Sequence, residues 1–151
     1  MTTPINESIM LNVEALINTI TTGNGYNQTL TAMRSKRVDY KYEPPDNGST
    51  LITWLGDRSV DNAAGLASWT MELSIFSIVC PAAETTDIDP LMAQVSADIE
   101  KALKIDAQRN SLAIDTRITD KSPQDSTIGE GINITVEIDY RTNWGDPYNL
   151  T

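Results

Sequence analysis

The chain has 151 residues, a hydrophobic fraction of 40%, a charged fraction of 21% and a formal net charge of -10. This length suits one domain, residues 1–151, and no apolar run approaches the ~20 residues that a membrane helix needs. The acidic excess disfavours direct binding of nucleic acid, and the absence of histidine removes the commonest general base and metal ligand. The composition therefore predicts a soluble protein that is not an enzyme and that holds no metal or cofactor.

The start of the chain has no basic region, apolar core and small-residue cleavage site in succession. A secretory signal needs those three parts, so we expect the protein to stay in the cytoplasm where it is made. Cys80 is the single cysteine and cannot form an intramolecular disulfide. Its place in the run MELSIFSIVC predicts apolar packing, because a free cysteine behaves as a small hydrophobe.

The first half of the chain predicts one helix and three strands. Residues 5–20 form an amphipathic helix, because their apolar residues recur at helical spacing, and the glycines of TTGNGYN end it. Residues 29–42 favour a strand with one basic, solvated face, and the prolines and glycine of YEPPDNGST predict a protruding loop. Strands are expected at 51–60 and at 66–80, and the second is apolar enough on both faces to be central.

A helix and two strands are predicted for the second half. In TTDIDP, Asp89 is expected to cap the helix and Pro90 to occupy its first position, with the helix running to about Ile105. Residues 111–121 alternate as a strand, and the turn-rich residues 122–131 lead to the last strand. The apolar side of the first of these strands is expected to comprise Leu112, Ile114, Thr116 and Ile118.

The last strand has the clearest pattern in the chain. One of its faces is apolar and the other is polar, as in a sheet with one buried face. The apolar side comprises Ile132, Ile134, Val136, Ile138 and Tyr140. The order of elements predicts an α+β fold, a mainly antiparallel sheet of about five strands with two helices packed on one face.

Two groups of acidic residues are candidate sites. Glu84, Asp87 and Asp89 could bind a hard cation, but they lack the spacing and glycine of a calcium loop, and a solvated loop explains them. Asp57 and Asp61 could form a carboxylate pair, but nothing near them in the sequence would separate their pKa values, and we read them as solvated loop residues. Neither group predicts catalysis.

A third candidate combines basic and aromatic residues in the predicted strand at 29–42. Such a combination could stack on nucleic-acid bases. The acidic charge of the whole chain favours a solvated or subunit-facing strand instead. The residues are Arg34, Lys36, Arg37, Lys41, Tyr40 and Tyr42.

The end of the chain is the fourth candidate, as an interface. Trp144, Asp146, Pro147 and Tyr148 follow the last strand and lie outside any periodic pattern that would bury them. Aromatic residues are enriched in interface cores, so contact with another subunit is one interpretation, with Asp146 and Pro147 holding the turn that aims Tyr148. Packing of these residues back over the edge of their own domain is the other, and composition does not decide between them.

The first helix, the proline-glycine loop, the helix containing SADIEKALKID and the ending IDYRTNWGDPY together resemble the tail terminator and minor tail proteins of long-tailed bacteriophages. The resemblance spans nearly the whole chain. It implies a ring, commonly a hexamer, that caps the tail tube protein, ends its polymerisation and joins the tail to the head connector. It also implies location in the virion, assembly in the host cytoplasm, no cofactor, and DNA that only passes through the lumen.

Two alternatives remain open at this point. Other neck and tail-completion proteins share this size and shape, and a fold does not fix a function. A cytoplasmic ligand-binding or adaptor domain is the alternative from a different class of protein.

Overall fold

The computed structural model describes residues 2–34, 47–79, 87–126 and 129–150. The elements in chain order are α1 (Ile5–Ile17), a 3-10 turn (Thr22–Asn24), β1 (Thr31–Arg34), β2 (Ser49–Ala63), β3 (Leu66–Ile78), α2 (Ile88–Ile105), β4 (Asp115–Ser126) and β5 (Gly129–Asn143). The strands form one sheet in the order β1-β2-β3-β5-β4, in which β1 is parallel to β2 and the other neighbours are antiparallel. The predicted α+β fold is confirmed, with β3 at the centre of the sheet.

Both helices cover the same face of the sheet. Alternate residues of β3 and β5 point towards them, and the register places Met71 opposite Ile138 and Leu73 opposite Val136. The helices add their apolar stripes to the same core cluster, through residues that include Ile9, Val13, Ile17, Val95, Ile99 and Leu103. All five apolar residues predicted for the last strand are buried there, so that prediction is confirmed.

The bounds of both helices differ from the prediction. The first helix ends at Ile17, although Ile20 is still buried in the core. The second begins at Ile88, with Asp87 as its cap residue and no side-chain hydrogen bond from the cap, so the prediction that Asp89 caps it was wrong. Proline is tolerated throughout the first turn, where no amide has an intrahelical acceptor, and Pro90 therefore did not fix the first position.

Strand β4 is displaced along the chain from its predicted position. Three consecutive residues before it, Arg109, Asn110 and Ser111, have positive φ angles of 49°, 57° and 64°, which are incompatible with a strand. Ile114 consequently precedes the strand and is exposed, whereas Thr116 faces the core as predicted. Pairing with β5 carries β4 through residues predicted to be turns, as far as Ser126.

Strands β2 and β3 form a hairpin, in which β2 is longer than the strand predicted at 51–60. Ala64 and Gly65 join them with φ angles of 55° and 78°, which is the two-residue turn with positive φ at both positions. Asp57 and Asp61 lie on β2, so the prediction that they are loop residues was wrong. Some predicted features lie outside the described residues. They are the rest of the predicted strand and loop up to residue 46, and also Cys80 and Glu84.

Candidate interface at the hairpin end of the sheet

The C-terminal segment, residues 144–150, is attached to the domain by its main chain. The N–H of Trp144 donates to the carbonyl of Gly65 at 2.8 Å, and the N–H of Ile5 donates to the carbonyl of Pro147 at 3.0 Å. The N–H of Asn143 donates to the carbonyl of Asn149 at 2.9 Å. These bonds fix the segment against the β2–β3 turn and the start of α1, which we call the hairpin end of the molecule.

The side chains of the same segment point to solvent. Trp144 is 65% exposed, Tyr148 is 44% exposed and Leu150 is 41% exposed. The main chain thus packs back on its own domain while the rings of Trp144 and Tyr148 stay accessible, and contact of these rings with another subunit stays a prediction. Exposed aromatic side chains on a fixed main chain are suited to serve as interface anchors.

Asp146 shapes the turn within this segment. Its carboxylate accepts a hydrogen bond from the side-chain amide of Asn149 at 2.7 Å and one from the N–H of Tyr148 at 3.1 Å. These two bonds lower the pKa of Asp146, because they favour the charged carboxylate. The bond from Tyr148 holds the main chain of the turn, and the role of this turn in aiming the Tyr148 ring stays a prediction.

A cavity of about 360 Å³ opens beside the segment on the helix-covered face of the sheet. It lies between the start of α1, the ends of β2, β3 and β5, and the C-terminal turn. Its lining includes Asn6, Asp57, Trp69, Tyr140, Asp146 and Pro147. Two of the four predicted interface residues, Asp146 and Pro147, are therefore part of its wall.

Asp57 is the most highly connected polar group in the cavity. Its carboxylate accepts hydrogen bonds from the Tyr140 hydroxyl at 2.7 Å, the Trp54 indole N–H at 2.9 Å and the Asn6 amide at 3.1 Å. Burial and the bond to Asp57 raise the pKa of Tyr140, so its phenol remains a proton donor at neutral pH. Sequence reasoning missed this site because a strand bulge at Leu55 brings Trp54 and Asp57 to the same face.

The opposite, open face of the sheet carries a network of ion pairs. Arg117 contacts Glu137 at 3.0 Å and also Asp139, and Arg58 contacts Glu137 at 3.1 Å. Hydrogen bonds from Arg117 lower the pKa of both carboxyl groups. Arg141 follows on this face, is exposed, and has no ion pair or hydrogen bond to the part of the chain that the structure describes.

The other sequence candidates do not come together. Asp87 and Asp89 are exposed, and within the described ranges no three metal-ligating side chains are grouped to hold an ion. Arg34 pairs with Glu7 at 3.1 Å, and the remaining basic and aromatic residues of that candidate lie outside the described residues. Neither described helix is long and apolar enough to cross a membrane.

Two comparisons with known protein sequences give no match. No family model matches the chain, and no curated protein sequence matches it. Any function proposed for the protein therefore rests on the geometry of the hairpin end and on the resemblance seen in the sequence. Chemically, that geometry offers hydrogen-bond acceptors, a protonated phenol and exposed aromatic rings, which suit binding.

Proposed function

We propose that the protein is a structural component of a bacteriophage tail, a tail terminator that assembles into a closed ring. The observation that carries the proposal is the C-terminal segment, whose main chain is fixed while Trp144 and Tyr148 remain exposed. A segment whose main chain is already fixed loses less conformational freedom when it binds, so more of the contact energy is available for association. Self-assembly is the simplest use of such a surface on a small structural protein.

The assignment to a phage tail rests on the sequence resemblance, most of all on the ending IDYRTNWGDPY. The exposed aromatic residues belong to this ending, which links the resemblance to the geometry. In the proposed ring, commonly a hexamer in this family, the subunits contact the tail tube protein on one side and the head connector on the other. The net charge of -10 suits a lumen through which DNA passes without adhering.

The proposal places the protein in the virion after assembly in the host cytoplasm. Sedimentation velocity and electron microscopy of the purified protein at high concentration, alone and with the tail tube protein, test the ring directly. We expect closed rings under at least one of these conditions. A strictly monomeric protein under both would contradict the proposal.

The terminator role has a separate test in the particle. Tails assembled without this protein should grow beyond their normal length or fail to join heads, and electron microscopy measures both. If tails assembled without this protein have normal length but lack a different neck component, the result would support another tail-completion role. Normal particles would exclude both roles.

One observation favours the alternative, a ligand-binding or adaptor domain. The cavity beside the C-terminal segment has the size of a small-ligand site and contains the carboxylates of Asp57 and Asp146. If this alternative holds, a small cationic ligand such as a guanidinium compound should raise the melting temperature of a protein that forms no ring. Ring formation without such a ligand favours the terminator.

A further inference from the structure

The cavity at the hairpin end carries negative charge without a cation to balance it. The carboxylates of Asp57 and Asp146 both line it, and all the hydrogen-bond donors to them are neutral groups. No ion pair reaches either carboxylate from the residues described in the structure. The indole of Trp69 forms part of the same wall. The cavity is therefore complementary to a cationic group that can also contact an aromatic ring.

A guanidinium group fits this environment better than an ammonium group. It is planar, it stacks on aromatic faces, and its five N–H donors can reach two carboxylates at once. Charge-assisted hydrogen bonds of this kind are about twice as strong as neutral ones. The chemistry of the cavity thus selects arginine among protein side chains.

The chain itself offers one suitable arginine within its described residues. Arg34, Arg58 and Arg117 are engaged in ion pairs, and Arg109 is buried. Arg141 is exposed on the open face and has neither an ion pair nor a hydrogen bond to the described chain. It is the guanidinium that a neighbouring molecule could accept without breaking an existing contact.

The positions of the two groups determine how copies would associate. Tyr140, which lines the cavity, and Arg141 are consecutive residues of β5, so their side chains point to opposite faces of the sheet. The cavity and the arginine therefore lie back to back at the same end of the molecule. Such an arrangement suits head-to-tail contact, in which each copy gives one patch and receives a different one, and a repeat of this kind forms a ring when the rotation between copies closes.

We propose that the cavity lined by Asp57 and Asp146 receives Arg141 of a second copy of this chain. The inference rests on the proposed ring and names the contact that would build it. The surroundings of the two patches also match in chemistry. Trp144 and Tyr148 are exposed beside the cavity, and Arg141 borders a groove of about 300 Å³ whose apolar lining comprises Leu66, Leu112, Ala113, Ile114 and Leu150.

A charge-exchange experiment tests this contact. Arg141→Glu and Asp146→Lys should each abolish ring formation at a concentration at which the unaltered protein forms rings. Mixing the two variants should restore assembled species, because Asp146 of one variant meets Arg141 of the other and the second contact pairs Glu with Lys. Sedimentation velocity measures all four samples.

Control variants separate the loss of this contact from general effects of charge and from loss of folding. Lys101→Glu and Asp89→Asn change charge on the exposed side of α2 and should leave ring formation unaltered. Asp146→Asn keeps one of the two acceptor oxygens of the turn, and it should raise the dissociation constant of the ring about tenfold or more while the melting curve shows that the protein stays folded. This variant keeps the test decisive if Asp146→Lys does not fold.

The outcomes distinguish this inference from the proposed function. Rings that persist in Arg141→Glu and in Asp146→Asn would overturn the contact and leave the ring proposal standing. A mixture of folded charge variants that stays monomeric would also overturn the contact. An unaltered protein that never forms rings would overturn both proposals.

Discussion

The middle of the sheet and its hairpin end are built from the same strands but are packed differently. In the middle, Leu73 and Val136 face each other beneath the two helices and are fully buried. At the hairpin end, beyond Tyr140, the same face opens into a cavity, and the exposed rings of Trp144 and Tyr148 stand beside it. We expect stability to reside in the middle and, in the proposed assembly, association to reside at the hairpin end, so substitutions should affect the two separately.

The largest loss of stability is expected in the middle. Ile138→Ala removes a fully buried side chain from the core and should lower the free energy of unfolding by about 3–4 kcal/mol, because it leaves a cavity between sheet and helices. Urea denaturation measures the change. Ile105→Ala, at a position 68% exposed, is the control and should change stability by less than about 0.5 kcal/mol. Equal effects at the two positions would contradict this view of the core.

Gly131→Ala tests how closely β3 and β5 approach. A Cβ atom at Gly131 would lie 2.1 Å from the carbonyl oxygen of Ser77, a backbone atom that cannot move aside cheaply. We expect a loss of about 3 kcal/mol in the free energy of unfolding, again by urea denaturation. Gly23→Ala is the matched control, because the nearest atom to its Cβ is 3.8 Å away. A neutral effect at Gly131 would mean that the strands are less tightly paired.

Tyr140 lies at the boundary between the two regions. Tyr140→Phe removes the hydroxyl that donates to Asp57 at 2.7 Å and should cost about 1.5 kcal/mol of stability, since the carboxylate loses one of its donors. Tyr26→Phe removes a hydroxyl from another tyrosine that packs against the same core, and its change in stability serves as the comparison. If Tyr140→Phe is neutral, the hydrogen bond contributes nothing to the folded state.

The ion pairs on the open face should make the free energy of unfolding depend on pH. The pKa values of Glu137 and Asp139 are lower in the folded state than their ordinary values, because Arg117 donates hydrogen bonds to both. Their contribution is therefore present above about pH 4 and is lost as the pH falls through the folded pKa values. Arg117→Gln should make the melting temperature less dependent on pH below pH 4, by a small amount because the pairs are partly exposed. An unchanged pH dependence would exclude this role.

The sequence predicts the middle of the molecule better than the hairpin end. Strict alternation from Ile132 to Tyr140 determines which face of the last strand is buried, because side chains of a strand alternate between faces. The bulges at Leu55 and Val60 depend on pairing with β3, so the sequence does not place Asp57 on the helix-covered face.

Only part of the candidate interface could be predicted, because the rest depends on contacts between distant parts of the chain. The position of Trp144 and Tyr148 outside any periodic pattern left open whether they pack on their own domain or contact another subunit. The hydrogen bond between Ile5 and Pro147 joins the two ends of the chain, and no local signal reports such a distant pairing. The cavity depends on that pairing and was not predicted at all.

The smallest expected effect on stability is at the exposed aromatic residues, where the largest effect on assembly is expected. Trp144→Ala combined with Tyr148→Ala removes only exposed side chains and keeps the main-chain hydrogen bonds of the segment, which deletion of residues 144–151 would destroy. Each aromatic side chain should contribute about 2 kcal/mol or more to every subunit contact. Symmetry repeats that loss at every contact around the assembled ring.

We expect folding and association to be separate in this protein, and one pair of measurements on this double variant tests this. The melting temperature should stay within about 2 °C of that of the unaltered protein, and electron micrographs of the same sample should show loss of rings. Normal rings would contradict the assignment of the interface. A melting temperature lower by about 10 °C or more would show instead that the aromatic side chains belong to the core of the domain.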